Sequence, residues 1–312
     1  MTRRKAEAAL VWNTVIWGAT FVVVKSALAD ISPLFFLALR FSLAALILLP
    51  LLARKAPGWS WRTAGAGALA GVFLFSGYVL QTLGLRLTSA PKSAFVTGLS
   101  SVMVPLLGAL VYRTRPLISE VAGLLAATAG LVLMTLQGVR GGVSLGDVLT
   151  LFCAVGFAAH IVVLGHFSER MSFEVLAIMQ VGAAALLSVC SFWWVERPHV
   201  QWRPAVIGAI LITGLLATAL AFTIQAWAQR YTTSVRTGLI YALEPVFAWI
   251  TSFLLVGEGL SARAAAGAVL ILGGVALVEV KPLNPRPHPS EYGIKGGLCD
   301  PRLRPEGVKE FP

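Results

Sequence analysis

Ten apolar runs, each long enough to form a membrane-crossing helix or nearly so, divide the 312 residues and constrain this chain more than any motif does. A helix needs about 20 apolar residues to cross the hydrocarbon core. The runs cover roughly 8–28, 33–53, 63–85, 93–112, 118–137, 145–166, 174–194, 204–228, 237–256 and 263–280. Turn or charge signals separate them, among them Asp30-Ile-Ser-Pro33, Arg54-Lys-Ala-Pro-Gly58 and Arg113-Thr-Arg-Pro116. Only 12% of the residues are charged, about half of what a soluble domain carries. A soluble fold is therefore excluded. The absence of a Gly period and the presence of only three Cys exclude collagen-like and disulfide-stapled chains. The reading is an all-α membrane protein of ten transmembrane helices embedded in a lipid bilayer.

The net charge of +11 would suggest nucleic acid as a partner in a soluble protein. Here the basic residues sit in short loops and tails, so the sequence calls for no nucleic acid. With the N-terminus placed inside, 17 Lys and Arg fall on the cytoplasmic side and 6 outside, Lys25 and Arg40 lying within spans. That bias predicts both termini in the cytoplasm, in a cell inner (plasma) membrane. Arg3-Arg-Lys5 and Ala27-Leu-Ala29 resemble a signal-peptide start and cleavage site, but bulky Trp12 to Val24 and the following Lys25 argue against cleavage. Residues 282–312 hold seven Pro and no apolar run, which predicts a flexible cytoplasmic tail.

The two halves of the chain resemble each other. At a shift of 144, Gln81 meets Gln225, Arg86 meets Arg230, Thr88 meets Thr232, Gly123 meets Gly267 and Gly130 meets Gly274. At a shift of 140, Leu39-Arg-Phe-Ser lies against Met179-Gln-Val-Gly, and Thr97-Gly-Leu99 against Thr237-Gly-Leu239. Five spans per half is an odd number, so the second half enters the membrane in the opposite sense. The expected organisation is two inverted five-helix repeats, 1–140 and 141–281, followed by the tail. Inverted repeats are typical of secondary transporters, with the substrate near mid-bilayer between them.

Specific motifs add to this pattern. They are Trp17-Gly-Ala-Thr-Phe21 with Lys25, Arg40, Ala94-Phe-Val-Thr-Gly-Leu99 with Val104-Pro105, Glu244-Pro245 and Gly257-Glu258. In order and spacing the chain resembles the drug/metabolite transporter superfamily, in its ten-span EamA-type branch. The resemblance covers about residues 8–281 and implies export of small organic metabolites or amphipathic compounds more often than uptake. One departure is that Thr114, not an acid, stands opposite Glu258.

Ionisable residues inside spans are costly and face a bundle interior or a watery cavity. Arg40 reads as a carboxylate clamp, or as a structural tie to helix carbonyls, the latter preferred. Lys25 reads as a snorkelling end residue. Pro245 and Pro105 are expected to kink their helices and free the carbonyls of Tyr241 and Ser101. Glu244 is then a proton carrier, a cation contact or a buried acid that steadies the kink. His160 is the other proton-coupling candidate, since imidazole changes charge nearest neutral pH. The substrate-contact set is Trp17, Arg40, Tyr78, Gln81, Gln180, Gln225, Tyr241 and Glu244, with Asn13, Thr20 and Trp227 as further cavity candidates. Gly123, Gly130, Gly267 and Gly274 read as helix-packing positions, as do Gly67 and Gly71.

No nucleotide-binding loop, metal-ligand spacing or nucleophile motif appears. The sequence therefore predicts no cofactor, no metal, no catalytic residue and no ATP as direct driver. The partners expected are a small-molecule substrate and the bilayer, with proton coupling and a homodimer both left open. A membrane-embedded enzyme acting on lipid, or a non-transporting sensor, are the rival readings.

Overall fold

A computed structural model describes residues 3–54, 60–88, 90–112, 117–135, 144–257 and 261–280. The features read at Thr114, at Glu258 and in the tail lie outside these residues. Every regular element described is helical, and one isolated bridge joins Ile31 to Val200. A helix satisfies its own backbone, as a segment in hydrocarbon must.

The helices are α1 (Arg3–Ala27), α2 (Pro33–Arg54), α3 (Trp61–Leu87), α4 (Ala90–Gly98), α5 (Ser100–Tyr112), α6 (Ile118–Thr135) and α7 (Leu145–Ser168). They continue as α8 (Phe173–Val195), α9 (Pro204–Gly214), a π-helical turn (Leu215–Leu220), α10 (Ala221–Ala228), α11 (Ser234–Tyr241), α12 (Glu244–Val256) and α13 (Ala262–Val280). Eight segments are long and apolar enough to cross a membrane, three of them joining two short helices end to end. Two shorter apolar helices, Ile118–Leu133 and Ala262–Val278, fall where the fifth and tenth runs were read. The first helix starts at Arg3, earlier than residue 8, because its basic first turn continues the same helix.

Local signals set several boundaries. Pro33 and Pro204 stand at helix starts, where a missing N–H costs nothing. Ser144 and Asp147 form a capping box at the start of α7. Gly257 closes α12 with φ 73°, a left-handed geometry that glycine adopts without strain.

The outer surface carries exposed Leu106, Leu110, Leu125, Leu254 and Val269. In water such a surface would aggregate, whereas lipid solvates it. Trp193, Trp194 and Trp202 cluster at one end, where interfacial tryptophans belong. At that end the two connections 28–32 and 196–203 are tied together. Gln201 N–H donates to Asp30 at 2.7 Å, Ser32 N–H to His199 at 3.0 Å, and Arg203 pairs with Asp30 at 3.3 Å.

Glycines let α6 and α13 meet backbone to backbone. A methyl built on Gly123 would lie 2.7 Å from the Gly274 carbonyl oxygen, and one on Gly274 would lie 2.6 Å from that of Gly123. Two turns further along, Gly130 faces the Gly267 carbonyl in the same way. The two broken spans also cross reciprocally. A methyl on Gly98, before the break in the fourth run, would stand 3.0 Å from the Pro245 ring, and one on Gly238 would stand 3.0 Å from Val104.

The helix breaks fall slightly differently from the sequence reading. The ninth run breaks at Ala242 and Leu243, just before Pro245 and next to Tyr241, as Pro245 predicts. In the fourth run Pro105 lies inside α5, and the break is at Leu99 rather than Ser101. There the bonding tightens to three-residue spacing, with Leu99 N–H to Val96 and Val102 N–H to Leu99, while Ser101 Oγ donates to the Gly98 carbonyl.

Candidate functional site

The two breaks border one cavity of mixed polar and aromatic lining, which also takes Phe222 from just beyond the π-helical turn. From α1 it takes Trp17 and Thr20, from α2 Arg40, and from α3 Tyr78 and Gln81. From the second half it takes His160, Gln225, Tyr241 and Glu244. Residues scattered over 228 positions of sequence thus share one space. Gln180, Asn13 and Trp227 do not line it.

Arg40 is 3% exposed. Its Nε donates to Thr218 Oγ1 at 2.7 Å, and its Nη2 donates to the Tyr78 hydroxyl at 3.1 Å and to the Ala217 carbonyl at 3.3 Å. The guanidinium carbon lies 4.4 Å from the Tyr78 ring centre, a cation–π contact. Among the described residues no carboxylate pairs with it. Arg40 is therefore a tie to a helix, as well as part of the cavity wall.

The helix it ties is the π-helical one. A π turn loosens the regular ladder, and such turns are rare. Here Thr218 Oγ1 donates back to the Thr213 carbonyl at 2.8 Å. Trp17 Nε1 donates to the Ala217 carbonyl at 2.8 Å and Asn13 Nδ2 to that of Ala221 at 2.8 Å. Gln180 Nε2 donates to Phe222 at 3.4 Å. Side chains from three helices, α1, α2 and α8, thus collar one irregular turn. Gln180 does a second thing from behind the wall: its amide bonds His160 Nε2 at 2.7 Å and fixes that ring. The repeat-related Arg40 and Gln180 are both helix ties, although only Arg40 reaches the cavity.

Aromatic faces make up much of the rest. Trp17 packs on Phe222 at 5.4 Å and edge-on to Tyr241 at 4.9 Å. Tyr78 meets Phe157 at 5.1 Å. Gln81 and Gln225 do not bond each other. Gln81 Nε2 donates to Thr97 Oγ1 at 3.2 Å, and Gln225 Nε2 to Gln229 Oε1 at 3.2 Å, leaving Gln225 Oε1 buried without a partner.

Glu244 opens α12 at the break, half-buried at the cavity. Among the described residues nothing donates to its carboxyl. Lys25 does more than snorkel: its ammonium donates to the carbonyls of Leu85, Arg86 and Thr88 and closes the end of α3. Trp227 packs on Tyr231, and His166 is exposed.

Sequence reasoning missed the π turn and with it Thr218, Phe222, Phe157 and Thr97. The signal available was thin: Thr213 and Thr218, five apart, beside Gly214 in an otherwise apolar run.

An all-helical, multi-pass integral membrane protein enclosing a polar and aromatic cavity is the class these observations define. The EamA-like transporter family matches the chain twice, over residues 4–136 and 144–280, and the chain belongs to that family. It is 35% identical over 279 residues to an uncharacterized transporter of Archaeoglobus fulgidus, covering 89% of this chain and 87% of that one. It is 28% identical to a probable amino-acid metabolite efflux pump of Salmonella typhimurium, covering 88% of this chain and 94% of the other. A crystal structure shares the fold with a TM-score of 0.73 at 23% identity, over 89% of this chain and 98% of that one. The protein is a membrane transporter of EamA type, and family and relatives point away from an enzyme.

Proposed function

We propose that the protein is a secondary active transporter that exports a small organic metabolite or amphipathic compound across the inner membrane by alternating access. Residues 1–140 and 141–281 form two inverted five-helix halves, both termini lie in the cytoplasm, and the halves rock around the cavity. The observation that carries this reading is reciprocity of contact. Gly123 meets Gly274 while Gly267 meets Gly130, and Gly98 meets Pro245 while Gly238 meets Val104. At the shift of 144 the first of these contacts becomes the second when the halves are exchanged, and at 140 the third becomes the fourth to within one residue, since Pro105 next to Val104 is the exact partner of Pro245. A two-fold relation between antiparallel partners produces that pattern. The double family match supports the same division.

The cavity offers an unpaired carboxyl at Glu244 and aromatic faces from Trp17, Tyr78 and Tyr241, while Arg40 is engaged by its helix ties. This suits an amphipathic molecule carrying an amino group, and it places ammonium and proton in competition at one acid. The efflux-pump relative is named for amino-acid metabolites, which supports that choice.

Counterflow in proteoliposomes, with a panel of amino acids, amines and neutral metabolites, tests the proposal. Saturable exchange of at least one amine-bearing solute is expected. No exchange of any solute, with turnover of the vesicle lipid instead, would favour the enzyme reading.

A further inference from the structure

Two charged clusters lie outside the cavity, at opposite ends of the bundle. At one end Asp147 accepts from Lys92 Nζ at 2.7 Å and from Thr88 Oγ1 at 3.0 Å. At the other end Glu7 accepts from Arg236 Nη1 at 3.4 Å and from Thr232 Oγ1 at 3.1 Å. Arg3 pairs with Glu7 at 3.2 Å, and Arg236 Nη2 also donates to the Val278 carbonyl at 3.2 Å. Both acids are buried, Glu7 at 5% and Asp147 at 8% exposure.

The clusters are the same cluster twice. Thr232 and Arg236 follow Thr88 and Lys92 by 144 residues, and Asp147 follows Glu7 by 140, the two shifts that align the halves. In each, the acid comes from one half and the threonine and cation from the other. Each cluster therefore fastens the halves together, at one end only. The cavity lies between them. Trp17 follows Glu7 by ten residues on α1, and Phe157 follows Asp147 by ten on α7, about 15 Å of helix in both cases.

A contact meant to stay closed gains little from buried charge, since desolvation offsets much of the attraction. A contact that must part gains a good deal, because separated charges are rehydrated while separated apolar faces are not. The glycine seam between α6 and α13 is of the first kind. These clusters are of the second.

We infer that Lys92–Asp147–Thr88 and Arg236–Glu7–Thr232 are the two gates of the transport cycle, opened one at a time, with Asp147 and Glu7 holding them shut. The inference rests on the alternating-access reading.

The test uses the full chain with Cys153→Ala, Cys190→Ser and Cys299→Ser, and one reporter cysteine, Ser100→Cys, in the cavity wall. A membrane-impermeant maleimide is applied separately to right-side-out and inside-out vesicles. Asp147→Asn is expected to raise the labelling rate on the order of tenfold from the face of its own cluster only. Glu7→Gln should do the same from the opposite face. The charge exchange Lys92→Asp with Asp147→Lys should return labelling towards the parent rate, and it remains informative if a single variant folds poorly. Unchanged rates in all variants, or both acids opening the same face, would overturn the gates while leaving alternating access standing. A reporter whose labelling from one face is unaffected by saturating substrate held at the other face would instead overturn alternating access itself.

Discussion

Gly123 and Gly274 face each other so closely that a methyl on either would press within 2.7 Å of the other's carbonyl oxygen. Backbone cannot yield as a flexible side chain can. Gly274→Ala should therefore push α6 and α13 apart and cost about 1–3 kcal/mol. The neighbouring Gly273 has open space around its hydrogen. Gly273→Ala should instead gain about 0.5–1 kcal/mol from helix propensity. Melting of both variants in detergent checks this, and equal midpoints would remove the seam from the account.

Arg40→Lys keeps the charge and loses the planar fork. One ammonium cannot reach Thr218, Tyr78 and the Ala217 carbonyl in the geometry the guanidinium holds. The buried Tyr78 hydroxyl is then left unpaired, at a cost of about 1–3 kcal/mol. A lower melting midpoint with reduced transport is expected. Full stability in the lysine variant would mean that the guanidinium ties are not structural.

Glu244→Gln should fold to the parent level, because no partner of the carboxyl is lost. Its transport should lose any dependence on pH, as the amide can neither bind nor release a proton. Uptake into proteoliposomes over a range of pH measures this. A retained pH profile would make Glu244 structural and leave His160, held by Gln180, as the cavity group to examine.

Sidedness follows from the charge bias. Arg197→Cys, exposed in the 196–203 connection, should react with an impermeant maleimide on intact cells. Arg4→Cys should react only after lysis. The reverse pattern would invert the orientation and exchange the faces of the two charged clusters.

The spans were legible because apolar length and punctuating charge are local properties: among the described residues, eight membrane-length segments and two shorter apolar helices lie where the runs were read. The break before Pro245 was legible for the same reason: a missing N–H is written in one letter. The break at Leu99 was not, since the residue there is an ordinary leucine and Pro105 is accommodated a turn and a half later. Most named cavity residues do meet, because polar groups in apolar helices have few other places to go. Their partners were not legible. Nothing in Arg40 points to Thr218, 178 positions away, and nothing in Glu7 points to Arg236. Gln180 shows the limit well: as a letter it looks like a ligand contact, and only its place behind His160 marks it as a support.

The π-helical turn has a consequence for how the duplicated chain can change. Gly71 rests against the Gln180 carbonyl and Gly214 against the Arg40 carbonyl, positions 143 apart. Beyond the turn, Gln81 and Gln225 stand 144 apart. The later copy thus holds one residue more than the earlier one, between a shared packing point and a shared polar point. That supernumerary residue is what Arg40, Trp17, Asn13 and Gln180 gather around. A gene made of the first half written twice would keep its glycine seams and lose the turn its arginine grips. One family matches both halves of this chain, but the halves are not interchangeable parts.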